Sequence, residues 1–137
     1  MHAYCTYCSA SKDPSTGLVP AYRRYISDRI IRVQQLAETE KVHFCILSGK
    51  FGLVDWNEPL PWYDHLLTLD EAPQLVEVVA RQLVEKGIDQ LHFFANSPRA
   101  RISNSGPTSK LLNKHAPRQA FRLRVLLLLN RLFPQRL

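Results

Sequence analysis

The sequence predicts an α/β domain with a short parallel sheet flanked by helices, and three observations predict it. Apolar runs of strand length alternate along the chain with two longer amphipathic stretches. One run, "VHFCILS" at 42–48, is apolar almost throughout, as in a parallel strand covered on both faces. The segments leaving the runs are the densest in small, polar and glycine residues, which suits loops gathered at the C-terminal edge of such a sheet. A chain of 137 residues supports one domain with a single core, taken as 1–137.

The elements follow in order. Residues 2–8 alternate loosely and carry Tyr4, Thr6 and Tyr7, a first strand. "SASKDPSTGLVP" then breaks the chain with Pro, Gly and Ser. Pro20 suits the first helical position, and a helix is expected over 21–39. Its inward stripe is Tyr22, Tyr25, Ile26, Arg29, Ile30, Val33, Leu36 and Ala37. The second strand is 42–48, followed by an irregular excursion rich in Gly, Pro and Trp. Asp70 is read as the N-cap of a helix over 71–86, with Leu75, Val76, Val78, Val79 and Leu83 facing inward and Gly87 ending it. "QLHFFA" at 90–95 is a third strand. A polar loop, a short helix opened by Pro107 and a last basic helix over 119–133 complete the chain, so 107–137 is expected to be a basic helical segment.

Charge divides the chain. Residues 1–89 hold 9 Lys and Arg against 12 Asp and Glu, a net −3, whereas residues 90–137 hold nine cations and no carboxylate. Such a tail points to a polyanionic partner, nucleic acid or a phosphorylated small molecule, because Lys and Arg gain by displacing counterions from phosphates. The alternative is a solvated basic helix face. The longest apolar run, "VLLLL" at 125–129, falls far short of the roughly 20 residues that span a bilayer, so no membrane partner is expected. No signal peptide is visible, and three cysteines, Cys5, Cys8 and Cys45, suit a reduced cytoplasmic setting better than a disulfide framework. Leu123, Leu126, Leu127 and Phe133 form a stripe that would allow a homodimer.

Candidate chemistry lies in three loops. "CSASK" at 8–12 offers N–H groups, the hydroxyls of Ser9 and Ser11 and the Lys12 ammonium to an anion, or else is a capped polar turn; it is not a P-loop. "LSGKFGL" at 47–53 places Ser48, Gly49 and Lys50 at a strand end, with Gly49 and Gly52 allowing positive φ or close backbone approach. "PLPWYDHLL" at 59–67 adds Trp62 and Tyr63 for stacking and an Asp64–His65 pair for proton transfer. Alternatively Asp64 caps a helix and His65 sits on its shoulder. Beyond the third strand, Asn96 and the basic residues Arg99, Arg101 and Lys110 suit ligand and phosphate contact. Cys5 and Cys8 should point to opposite strand faces, and the histidines His2, His43, His65, His92 and His115 show no metal-ligand spacing, so neither metal nor cofactor is expected.

Cys8-Ser9-x-x-Lys12, Tyr22 and "ILSGKFGLVDWNEPLPWYD" together resemble a widespread, largely uncharacterised bacterial and phage family. Its members carry a C-S-x-x-K turn, an L-S-(A/G)-x-(Y/F)-G-L loop and a closing P-x-(Y/D) segment. The family is distantly similar to the YaaA peroxide-stress proteins and to a domain of archaeosine tRNA synthases. The resemblance covers roughly 4–96. It implies a three-layer, Rossmann-like α/β domain tied to nucleic-acid or nucleobase metabolism, with no established reaction, and it matches Ser9, Lys12, Ser48, Lys50, Tyr63 and Asp64. The resulting expectation is a nucleotide- or nucleobase-binding protein. If it is an enzyme, it acts at an N-glycosidic bond or base, with Asp64 and Lys50 catalytic. The alternative is a non-catalytic nucleic-acid-binding or protein-interaction module.

Overall fold

In the computed structural model, residues 1–65, 67–68 and 70–94 are described. Asn96, Arg99, Arg101, Lys110 and the basic segment 107–137 lie outside the described residues. The elements are β1 (His2–Tyr7), β2 (Val19–Pro20), α1 (Ala21–Arg24), α2 (Asp28–Glu40), β3 (His43–Ser48), β4 (Gly52–Asp55), β5 (Pro59–Leu60), α3 (Ala72–Glu85) and β6 (Gln90–Phe94).

The fold is mixed α/β around a four-stranded, mostly parallel sheet in the order β4-β3-β1-β6. Strand β1 pairs in parallel with both β3 and β6, Cys5 standing opposite Cys45 on one side and Phe93 on the other. The three strands fall where the apolar runs placed them. A wholly parallel sheet does not hold, because β4 joins β3 antiparallel, Ser48 opposite Gly52 and Cys45 opposite Asp55. The reason is local. Residues 49–51 form a tight turn, and Gly52 at φ 73° takes a backbone conformation that a side chain would oppose. The stretch after β3 is therefore a hairpin before it becomes a loop. It continues to β5, which pairs antiparallel with β2.

Alternation along the strands divides the core. Ala3, Cys5, Cys45, Leu47 and Leu53 pack with Leu75, Val76, Val79 and Leu83 of α3. Tyr4, Phe44, Ile46 and Val54 pack with Ile30, Val33 and Ala37 of α2, together with Tyr25, Leu60 and Tyr63. Ile30 and Ile46 are wholly buried, each worth about 1.5–3 kcal/mol of transfer free energy. Cys5 and Cys8 belong to different clusters, as strand alternation requires.

The single helix expected over 21–39 is two. After one turn, Tyr25 is extended (φ −88°, ψ 121°) and bridges antiparallel to Lys12. Asp13 N–H then donates to Arg24 O, and Ile26 N–H to Ser11 O, so the 11–13 segment competes for the backbone groups that a continuous helix would use. Of the expected stripe, Ile26 is 58% exposed, whereas Arg24, not in the stripe, is fully buried. Helix α3 begins at Ala72 with Glu71 as N-cap, so Asp70 is not the cap; Pro73 in the first turn fixes the start. Among the described residues no helix is long and apolar enough to cross a membrane.

Candidate functional site

The C-terminal ends of β1 and β3 form one rim, and the chain returns to it three times. The β1 end leads directly into the Cys8–Lys12 turn, where Cys8 N–H donates to Leu47 O at 2.9 Å and so keeps the two strand ends together. The β3 end leads into the 49–51 turn. Here Ser48 Oγ accepts from Lys50 N–H (3.2 Å) and Phe51 N–H (3.1 Å), closing the turn on itself. Gln82 of α3 clamps the far side. Its Oε1 accepts from Leu53 N–H at 2.7 Å and its Nε2 donates to Phe51 O at 2.9 Å. The third visit is Tyr63, brought back by the 55–62 segment.

Tyr63 is the post of the site. Its ring is 5% exposed, and its hydroxyl bonds to Ser48 Oγ at 3.0 Å and to the Tyr25 hydroxyl. Burial raises the pKa of both phenols, so each stays a neutral donor and acceptor near neutral pH. Phe51 stands edge-on to the Tyr63 ring, with centroids 5.0 Å apart. Two ammonium groups approach the same ring: Lys12 Nζ at 4.7 Å and Lys50 Nζ at 5.4 Å from its centroid. The Lys12 turn, the Lys50 turn and the returning Tyr63 segment, far apart in sequence, therefore meet.

A third cation joins from α2. Arg29 Nε donates to Thr6 Oγ1 (2.9 Å), its NH2 donates to Tyr7 O (2.6 Å), and its guanidinium lies 3.5 Å from the Tyr7 ring centroid. Burial lowers its pKa from the ordinary value, but an arginine so placed remains charged. Lys12, Arg29 and Lys50 take part in none of the five ion pairs, so none has a carboxylate partner among the described residues. Sequence reading placed Arg29 in an apolar stripe and did not see its role. The available signal was a cation at an inward helical position in the first turn of α2, the end of the helix that faces the loop edge.

The remaining expected residues divide. Ser9 Oγ donates to Ser11 O at 2.7 Å and shapes the first turn. Ser48 is fully buried with its hydroxyl engaged three ways, which makes it a support beneath the rim. Gly49 is a close approach: a Cβ there would lie 3.3 Å from Leu67 Cβ. Trp62 is 54% exposed and offers a free face, whereas Tyr63 does not. Asp64 is exposed and has no hydrogen bond or ion pair among the described residues. The Asp64–His65 pair does not form. His65 Nε2 pairs with Glu71 Oε2 at 2.5 Å, and Glu71 also accepts from Thr68 at 3.1 Å. Asn96, Arg99, Arg101 and Lys110 lie outside the described residues.

The histidines show no metal-ligand spacing along the sequence, but the fold brings one of them beside two other donor residues. His43, Cys45 and Asp55 bring their donor atoms within 4.8 Å of one another. His43 and Cys45 share a strand face, and Asp55 reaches them only because β4 exists. No family model, curated protein or solved structure matches the chain.

Proposed function

We propose that the chain is a three-layer, Rossmann-like α/β protein that binds a nucleotide, or a nucleobase within nucleic acid, at the rim around Tyr63. One observation carries this reading: Lys12, Arg29 and Lys50 gather at the strand C-termini with no carboxylate partner among the described residues. Like charges concentrated this way repel one another and attract an anion, and a phosphate answers all three. Trp62, more than half exposed, offers a stacking surface one residue from the post. Of the six residues matched by the family resemblance, four (Lys12, Ser48, Lys50 and Tyr63) stand at the rim, which supports the association with nucleic-acid or nucleobase metabolism. The cation-only segment beyond residue 90 would hold the phosphate backbone through Arg99, Arg101 and Lys110, in a cytoplasmic protein able to form a homodimer through the 119–133 stripe.

In this reading Asp64, exposed and unengaged, steadies the developing oxocarbenium charge or orients water at an N-glycosidic bond, and Lys50 faces the phosphate or the departing base. The test is calorimetric titration with nucleoside monophosphates, the matching nucleosides and inorganic phosphate. Phosphorylated ligands should bind more tightly than nucleosides, and Lys12→Ala or Lys50→Ala should each weaken them at least tenfold. Equal binding by the variants, or no binding of any phosphorylated ligand, overturns the assignment. Release of free base, lost in Asp64→Asn with binding retained, marks an enzyme. Binding of single-stranded DNA, duplex or RNA with a steep salt slope and no nucleotide preference favours the non-catalytic module instead.

A further inference from the structure

Roughly 10–16 Å from the rim, toward the other end of β3, three side chains of different chemistry converge on one point. His43 Nε2 lies 2.9 Å from Asp55 Oδ1, and Cys45 Sγ lies 3.8 Å from the same oxygen. All three donor atoms fall within 4.8 Å of one another. Backbone register brings the three side chains to one face. His43 and Cys45 are two residues apart on one strand and so share a face, and Asp55 is the cross-strand register partner of Cys45. Cys45 forms the buried floor, whereas the His43 and Asp55 side chains are 29% and 35% exposed and form the mouth. An ion has an entrance and a rigid seat.

We propose that His43, Cys45 and Asp55 form a zinc site. One imidazole nitrogen, one thiolate sulfur and one carboxylate oxygen make the mixed donor set that Zn2+ accepts, whereas Mg2+ and Ca2+ require oxygen alone. Three protein ligands leave the fourth tetrahedral position to water. The present spacings are those of a hydrogen-bonded cluster. Tetrahedral Zn2+ with bonds of about 2.0–2.3 Å needs donor atoms somewhat over 3 Å apart, so small side-chain rotations on fixed strands admit it. Binding replaces protons: the Cys45 thiol gives its proton to solvent as the Zn–S bond forms, and the His43 proton resides on Nδ1 while Nε2 coordinates.

Two neighbours shape the affinity. Lys86 Nζ lies 3.2 Å from Asp55 Oδ1 and competes with the metal for that carboxylate. Glu58, whose Oε2 accepts from Asp55 N–H at 3.1 Å, adds negative charge nearby. Lys86 therefore gives the proposal a signature that a merely structural His–Asp contact lacks. Its removal should tighten zinc, although it breaks an ion pair of the apo protein.

The experiment uses the full chain, freed of metal, titrated with Co2+ as spectroscopic probe and with Zn2+ in competition against a chromophoric chelator. One equivalent of Co2+ should give tetrahedral visible bands and a sulfur-to-cobalt charge-transfer band. Cys45→Ser should abolish the charge-transfer band, and His43→Ala should weaken Zn2+ at least tenfold. Lys86→Met should tighten Zn2+ severalfold, and Zn2+ should raise the unfolding temperature of the parent protein but not of His43→Ala. His43 lies outside both core clusters and is partly exposed, so its truncation leaves the core intact and decides the matter even if the buried Cys45→Ser fails to fold. Absence of a thiolate band, a band that survives Cys45→Ser through Cys5 or Cys8, or Zn2+ affinity unchanged in His43→Ala overturns the proposal. None of these readouts involves the cation rim, so failure there and failure here are separable.

Discussion

Replacing Arg24 should damage this protein more than replacing any exposed cation, and the size of the effect follows from its partners. The guanidinium is 0% exposed and has no carboxylate partner among the described residues. It is satisfied by carbonyls alone: Asp13 O at 2.6 Å, Gly17 O at 2.7 Å, Ser15 O at 2.9 Å, and Leu60 O at 3.1 Å and 3.3 Å from two nitrogens. Hydrogen bonds from a charged donor are worth about 1.5–3 kcal/mol each when one partner is removed. In Arg24→Ala the carbonyls of Ser15 and Gly17, on exposed residues, recover water, so most of their share is regained. The carbonyl of buried Leu60 does not recover, and the lost arginine stem leaves a void. Together these give about 3–5 kcal/mol, against a total of 5–15 kcal/mol for a typical domain. Arg24→Lys, with one nitrogen for four dispersed oxygens, should lose about 2–3 kcal/mol. Urea unfolding followed by the fluorescence of Trp56 and Trp62 measures both. A loss below about 1 kcal/mol in Arg24→Ala would refute the view that this buried cation organises the 13–17 loop and the β5 segment.

Two further outcomes follow from single positions. Gly52→Ala meets both a positive φ of 73° and Gln82 Oε1 only 2.3 Å from the added Cβ, so Gln82 must give up its bonds to Leu53 and Phe51; a loss of about 2–3 kcal/mol in urea unfolding is expected, and a neutral effect would mean the clamp carries no strain or stability. Burial, and secondarily the charge of His2, lowers the pKa of His92, so the unfolded chain takes up that proton first and stability falls as pH drops below about 6.5. His92→Phe, which keeps the stacking on Phe94, should flatten the urea midpoint between pH 7.5 and 5 relative to the parent, and parallel pH profiles would contradict the assignment.

Legibility followed the range of the interactions. Strands β1, β3 and β6 were readable because each is a short run rich in apolar and aromatic residues, legible without reference to its partners. Strand β4 was not, because "GLVD" opens with glycine, ends with aspartate and becomes a strand only through pairing with β3. Missing β4 hid Asp55 from His43 and Cys45 and made the histidines look isolated. The break after α1 was equally invisible, since helical spacing continues through Tyr25 and only the bridge to Lys12 interrupts it. Lys12, Lys50 and Tyr63 were legible because they lie in loops of unusual composition, whereas Arg29 was masked by its place in an apolar stripe. The adjacent pair Asp64–His65 misled for the opposite reason: proximity in sequence suggested a partnership that Glu71, six residues beyond His65, takes instead.

The two sites share no ligand, yet they depend on one register. Shifting β4 by one residue against β3 would exchange the faces of its side chains. Asp55 would turn away from Cys45, and the 49–51 turn that rests on Ser48 would have to re-form around a different residue. What prevents the shift is not in the hairpin. Gln82, on α3, holds Phe51 and Leu53 at once, and only a glycine at position 52 lets it approach that closely. One amide on a helix thereby sets the geometry at both ends of the strand pair. Loss of that amide should loosen the Lys50 turn and the His43–Cys45–Asp55 cluster together, a coupling transmitted by strand alignment without any chain of contacts between them.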